Sequence, residues 1–353
     1  MRILLFCENR YAVDILRPLH DEAMRQRRHE VLWYVHQPKI NSFPYEDEVH
    51  VTRSMQECLD FSPEAVFVPG NIVPYYLPGV KIQVFHGYAA EKKDHWVIRR
   101  YFDTYFTQGP FFTEHFSRLA RRYGDFEVVE TGWTKQDWIK RNLHSFDADR
   151  EELLRRHGKK RIALYCPTFS PKLTSLPKIK DALDAFLTGR PDWLLMLKFH
   201  PLTRQEWVDE YRNWAALRTD AIYVEKGHNI TDMQLMSDLV ISDTSSAVYE
   251  FLLLDRPVVT LDTIARDIYW ENITDPSLLT QAIDRAISDP ASISRRRQVR
   301  DSYDPHLDGR CCERMIAAAE DYIRRHGTPR RRKVNLWRRY TSVRTFGRVT
   351  TRR

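Results

Sequence analysis

The sequence is poor in the features that mark many common functions. Its five cysteines, Cys7, Cys58, Cys166, Cys311 and Cys312, are odd in number and scattered, and none sits in a CxxC pair or a Cys/His ligand spacing. This argues against a disulfide framework and a structural zinc module, and fits free thiols in a reducing compartment. Cys7 and Cys166 lie in apolar runs and read as core residues. No stretch approaches the ~18 consecutive apolar residues of a membrane-spanning helix. The start, MRILLFC, lacks the basic stretch, longer apolar run and cleavage site of a secretory leader. The protein is therefore expected to stay in the cytoplasm. No GxGxxG follows the first strand-like run, no GxxxxGK[ST] phosphate loop occurs, and no GxSxG elbow is present. No acidic pair has a metal-binding spacing, so metal-independent chemistry without a cofactor is expected.

What is present is a chain of 353 residues, enough for two domains, with the 42% hydrophobic content needed to build their cores. The net charge of +7 hides an asymmetry. Twelve Lys/Arg and no Asp/Glu fall between Arg324 and Arg353, which leaves 43 basic against 48 acidic residues elsewhere, a body of −5. A mildly acidic body with a strongly basic end suggests contact with an anionic surface.

Buried strand-like runs alternate with helical stretches through the first half: RILLFC (Arg2–Cys7), EVLWYV (Glu30–Val35), AVFVP (Ala65–Pro69), KIQVFH (Lys81–His86), then runs at 104–107 and 127–131. A polar helical stretch over 142–158 follows. The pattern then restarts with RIALYC (Arg161–Cys166) and WLLMLKF (Trp193–Phe199), followed by runs at 221–224, 239–242 and 257–261. Continuous apolar strands between helices predict parallel sheets covered on both faces. Two doubly wound domains are expected, 1–145 and 146–325, followed by a basic tail, 326–353. Such sheets bind ligands beyond the carboxyl ends of their strands.

Four polar clusters follow predicted strands. In Phe85-His86-Gly87, His86 ends a strand, and histidine suits proton transfer near neutral pH. In Lys198-Phe199-His200-Pro201, the lysine and histidine are alternate residues, so in an extended segment they share a face and suit a phosphate. Ser242-Asp243-Thr244-Ser245-Ser246 is a hydroxyl-rich turn that opens a helix. Capping explains one such residue, whereas five together suit an anion. Thr168, in Pro167-Thr168-Phe169-Ser170, is a further phosphate donor or a simple cap.

In this order the clusters resemble the CDP-glycerol glycerophosphotransferase family, whose members build teichoic-acid-like polymers. The matching pieces are Phe85-His86-Gly87 with Lys92 soon after, LYCPTF (Leu164–Phe169), Lys198–Pro201, DMQLMSDLVISDTSSAVYEFLLLDRPVV (Asp232–Val259) and DGRCCER (Asp308–Arg314). Two departures stand out: Ser170 replaces the arginine that commonly follows the family's PTF, and FHGYAAEKK replaces its WHGTPLKK.

The resemblance implies a GT-B-like α/β fold, two Rossmann-like domains facing across a cleft, the first for acceptor and the second for donor. It implies His86 as general base. It also implies that His200, Ser245 and Ser246 hold the phosphates of a cytidine-nucleotide donor, with Lys198, Thr168, Asp243 and Thr244 close by. The group transferred would be glycerol phosphate or a similar alditol phosphate, and the acceptor lipid-linked or a glycan. GT-B sialyltransferases and capsular Kdo transferases share the HP motif and a later serine pair, so a CMP-sugar-dependent glycosyltransferase is the alternative. A non-catalytic nucleotide-binding membrane protein is a third reading. The tail residues Arg330, Arg331, Arg332, Lys333, Trp337, Arg338 and Arg339 mix cations with aromatic rings. This suits an anionic lipid surface at the inner face of the membrane rather than nucleic acid.

Overall fold

The computed structural model describes residues 1–88, 93–225, 227–266, 268–329 and 334–347. Two parallel sheets organise them. The first contains β1 (Arg2–Cys7), β2 (Glu30–Val35), β3 (Val51–Thr52), β4 (Ala65–Val68), β5 (Val80–Val84), β6 (Thr104–Thr107) and β7 (Glu127–Glu130), in the order β3-β2-β1-β4-β5-β6-β7. The second contains β8 (Arg161–Tyr165), β9 (Trp193–Leu197), β10 (Ala221–Tyr223), β11 (Leu239–Ser242), β12 (Val258–Leu261) and β13 (Glu271–Ile273), in the order β10-β9-β8-β11-β12-β13. Both orders place the strand that comes first in the sequence, β1 or β8, inside the sheet and reverse direction beside it. This is the doubly wound arrangement in which ligands bind where the strand order turns back.

The physical basis is visible strand by strand. β4, β5, β8, β9, β11 and β12 are buried along nearly their whole length, so both faces must be covered, and helices cover them. Register is set by in-line pairing: Arg2 to Cys7 run beside Glu30 to Val35, and Leu239 to Ile241 beside Ala163 to Tyr165. The second core gathers Leu183, Phe186, Leu195, Tyr211 and Ile241, all essentially inaccessible to solvent. Each such side chain contributes about 1.5–3 kcal/mol by leaving water.

The chain divides into two compact units. The first comprises the described residues of Met1–Gly87, Lys92–Arg141 and Ser302–Arg353; the second comprises those of Tyr88–Glu91 and Asn142–Asp301. The first unit therefore recovers the end of the chain, whereas the sequence places residues up to 325 in the second domain. Two carboxylates account for this return. Asp137 accepts the backbone N–H groups of Cys311 and Cys312, both at 2.8 Å, and so caps the helix Cys311–His326 from the helix Thr134–Arg141. Asp304, fully buried, accepts from the backbone N–H of Trp133 at 3.1 Å. All five cysteines are free and buried.

The expected tail contributes a helix to the first unit. Asn335 accepts from the backbone N–H of Arg338 and caps a helix over Leu336–Phe346, which Gly347 ends at positive φ. Ser342 and Phe346, four residues apart on one face, are buried. Phe346 packs on Phe6 and His36 at 5.2 and 5.1 Å between ring centroids. Tyr101 donates to the Arg338 carbonyl at 2.7 Å. No helix among the described residues is long and apolar enough to cross a membrane.

Candidate active site

The second sheet reverses between β8 and β11, and the loops leaving those strands carry the hydroxyl-rich turn and Thr168. Asp243 joins them. Its Oδ1 accepts the backbone N–H of Thr168 at 2.8 Å, and its Oδ2 accepts both the backbone N–H and the hydroxyl of Ser175, at 2.8 and 2.9 Å. Tyr165 Oη lies 2.9 Å from the same Ser175 hydroxyl. Ser242 donates to the Cys166 carbonyl at 2.7 Å. Asp243 is completely buried, and burial pushes its carboxyl up to about 6 despite the hydrogen bonds that pull it down. Both its oxygens are thus engaged in holding loops. Thr244 and Ser245 beyond it are half-buried and Ser246 is exposed.

His200 leaves the neighbouring strand β9. Its Nδ1 accepts the backbone N–H of Leu202 at 3.1 Å. A nitrogen that accepts carries no proton, so in the neutral ring Nε2 carries it, and His200 presents an N–H donor. Its ring stacks on Phe169 at 4.4 Å and 28°. Lys198 behaves differently from the expectation that it shares a face with His200. β9 stops at Leu197, so the alternation stops with it. Lys198 is buried and donates to the Glu225 carbonyl at 2.6 Å, whereas His200 is exposed. Burial pulls the Lys198 ammonium below its ordinary range.

In the first unit His86 lies two residues beyond β5 and is exposed. Its Nδ1 is 3.2 Å from the Pro69 carbonyl oxygen. A carbonyl only accepts, so Nδ1 carries the proton and Nε2 is the basic nitrogen. The Gln83 amide donates to the carbonyls of Val68 and Gly70 at 3.1 and 2.9 Å, which fixes the loop that fixes His86. Tyr11 packs against the imidazole with centroids 4.8 Å apart. The two imidazoles are therefore held in opposite tautomers, one presenting a base and the other a donor.

Comparison with known proteins identifies the family. A family model described as CDP-glycerol:poly(glycerophosphate) glycerophosphotransferase matches residues 21–319. The chain belongs to that family. It is 35% identical over 107 residues to a teichoic acid glycerol-phosphate primase of Bacillus spizizenii, covering 29% of this chain and 25% of the primase. It is 24% identical over 302 residues to a teichoic acid ribitol-phosphate primase of the same organism, covering 73% of each. The chain thus spans about a quarter of the first relative's length and nearly three quarters of the second's. Among solved structures, the wall teichoic acid polymerase TagF superposes with a TM-score of 0.64 at 15% identity, covering 92% of this chain and 89% of that one. The S. aureus MnaA–UDP co-structure superposes at 0.69 with 14% identity, covering 92% and 97%. At these identities the likeness establishes the fold, a GT-B-like α/β plan of two units.

Within this family member, the expected donor-binding residues Thr168, Asp243, Thr244, Ser245 and Ser246 share one end of the second sheet, with His200 adjoining through Phe169. Lys92, Arg330, Arg331, Arg332 and Lys333 lie outside the described residues. Of the remaining tail residues, Trp337 is 72% exposed. Arg338 lies over Tyr101 and Arg339 over Tyr75, so both are partly occupied by packing on the first unit. Ser175, Phe169, Gln83 and Tyr11 escape sequence reasoning, because each acts through a partner distant in sequence. Glu8, one residue past β1, escapes it too. It is 5% exposed, pairs with Lys39 at 2.6 Å through Oε1, and its buried Oε2 makes no hydrogen bond among the described residues.

Proposed function

We propose that this chain transfers glycerol phosphate from CDP-glycerol to a hydroxyl of a lipid-linked or glycan acceptor in cell-wall polymer synthesis. The single observation that carries the reading is the pair of oppositely fixed imidazoles, His86 and His200. An acceptor oxygen attacks the β-phosphorus of the donor. The new P–O bond forms as the bond to the CMP oxygen breaks, and His86 Nε2 takes the hydroxyl proton. His200 Nε2–H donates to a phosphate oxygen, and Thr244, Ser245 and Ser246 supply hydroxyl donors. Asp243 and Thr168 hold this turn in shape, and Lys198 supports the loop that carries His200. General-base catalysis contributes typically ~10²–10⁴-fold, and a single well-aimed phosphate donor ~10²–10³-fold.

The test is transfer of label from CDP-[14C]glycerol to material in host membranes. Wild-type protein is expected to transfer label. His86→Ala is expected to bind CDP-glycerol normally and lose about 10²-fold or more in turnover. Near-normal turnover by that variant contradicts the assignment.

The acceptor side adds a location. The exposed Leu336, Trp337 and Tyr340 of the last helix, within the most basic part of the chain, suit insertion at an anionic inner-membrane surface. Nearby cations add about 1 kcal/mol each. Sedimentation with phosphatidylglycerol vesicles tests this: the wild-type protein is expected to pellet with them, and equal binding to neutral vesicles contradicts the role of charge.

A further inference from the structure

Glu8 is a buried carboxylate with only one of its two oxygens paired among the described residues. A buried charge with an unpaired oxygen costs stability unless something uses it. Oε1 meets Lys39, whose own side chain is 43% exposed, and among the described residues nothing donates to Oε2. The residue follows β1, beside the point where the first sheet's order reverses between β1 and β4.

Its surroundings point toward His86. β1, β4 and β5 are adjacent, so residues just past β1 and β5 lie about 10 Å apart at the backbone, two strand spacings. Both side chains lean on the loop between them. His86 Nδ1 meets the Pro69 carbonyl, while Glu8 Oε2 lies against the next residue, Gly70. A Cβ built on Gly70 would fall 2.3 Å from that oxygen, so glycine is required for the carboxylate to occupy this position. Tyr11, packed on the His86 ring, also lies within the field of Glu8.

We infer that Glu8 is a positioning residue for His86: its fixed negative charge favours the imidazolium that forms when His86 accepts the acceptor's proton. The inference rests on the reading of His86 as base. A negative charge near an imidazole raises its basicity, and makes proton transfer correspondingly more favourable. The other titratable or charged groups facing Glu8 are Lys39, Tyr11, Tyr34 and Cys7, with His36 beyond Lys39. Of these only His36 is an imidazole, and burial pulls it below the ordinary histidine value, so its signal must be separated from that of His86.

The test is an NMR pH titration of histidine-labelled protein, with the His86 signal assigned by its loss in His86→Ala. In Glu8→Gln the His86 pKa is expected to fall, and the acidic limb of kcat/KM to move with it. The melting temperature is expected to hold or rise, because a buried charge has gone. Gly70→Ala, which displaces Glu8 without removing a charge, is expected to shift His86 in the same direction. An unmoved His86 pKa in a folded Glu8→Gln protein overturns the inference, and a drop in melting temperature with no pKa change makes Glu8 a packing residue instead. If His86→Ala retains turnover, the base assignment fails, and the NMR arm still decides whether Glu8 and His86 are coupled.

Discussion

Replacing Asp243 with asparagine separates two effects that usually travel together. The carboxylate accepts three hydrogen bonds, from the Thr168 N–H and from the N–H and hydroxyl of Ser175. An amide of the same shape keeps one oxygen and turns an NH2 toward a second donor. One or two charge-assisted bonds are lost, at about 1.5–3 kcal/mol each. Against this, the ionised group is already disfavoured. Its pKa rises from 3.8 to about 6, and each unit is about 1.4 kcal/mol, so removing the charge returns roughly 3 kcal/mol. That figure is already net of the hydrogen bonds to the carboxylate, so the melting temperature of Asp243→Asn should hold or rise by a few degrees. The loops, however, lose their common anchor, and CMP or CDP-glycerol affinity is expected to fall at least tenfold by calorimetry. The pH dependence has a definite sign. The folded pKa lies above the unfolded one, so the native state binds the extra proton between pH 4 and 6. This contribution to stability is fully present below about pH 4 and is lost as pH rises through 6. Donor affinity runs the other way: protonation below pH 6 replaces an acceptor with a donor, so wild-type affinity should fall there while that of Asp243→Asn stays flat. A stable Asp243→Asn protein with wild-type affinity and the same pH profile would refute the anchoring role.

Two further outcomes follow from packing. Phe169→Ala removes the ring that fixes the plane of His200, and donor affinity is expected to drop several-fold with little change in melting temperature, while Phe169→Trp recovers most of it; equal affinity in all three proteins contradicts the stacking role. The double variant Leu336→Ser/Trp337→Ser changes two side chains that are 83% and 72% exposed, and is expected to weaken vesicle binding without altering stability. Unchanged sedimentation removes the helix from the membrane contact. Deleting the whole segment is a poorer test, because Val334 and Phe346 belong to the first unit's core.

The parts of this fold that the sequence declares are those with local signals. Runs such as RILLFC and WLLML are too apolar to be anything but covered strands, and their order implies parallel sheets. β3 and β13, two and three residues long, carry no such signal. The return of the chain to the first unit depends on Asp137 meeting residues 174 positions away, which no local pattern announces. In the site, the hydroxyl-rich turn and the two histidines are legible because their residue types cluster just after strands. Their roles are not legible, because a tautomer is chosen by the backbone group facing Nδ1, a carbonyl for His86 and an N–H for His200. Lys198 shows the converse: its spacing from His200 suggests a shared face, and the end of β9 cancels it. Glu8 is a lone carboxylate at a strand end, and only the tight fit against Gly70 and its unpaired oxygen distinguish it.

The opposed tautomers can be measured directly. Long-range 1H–15N correlation spectra of histidine-labelled protein at pH 8 distinguish Nδ1–H from Nε2–H rings. His86 is expected to show the Nδ1–H form and His200 the Nε2–H form. A His86 ring protonated on Nε2 would put the basic lone pair on Nδ1, against the Pro69 carbonyl, and would contradict the account.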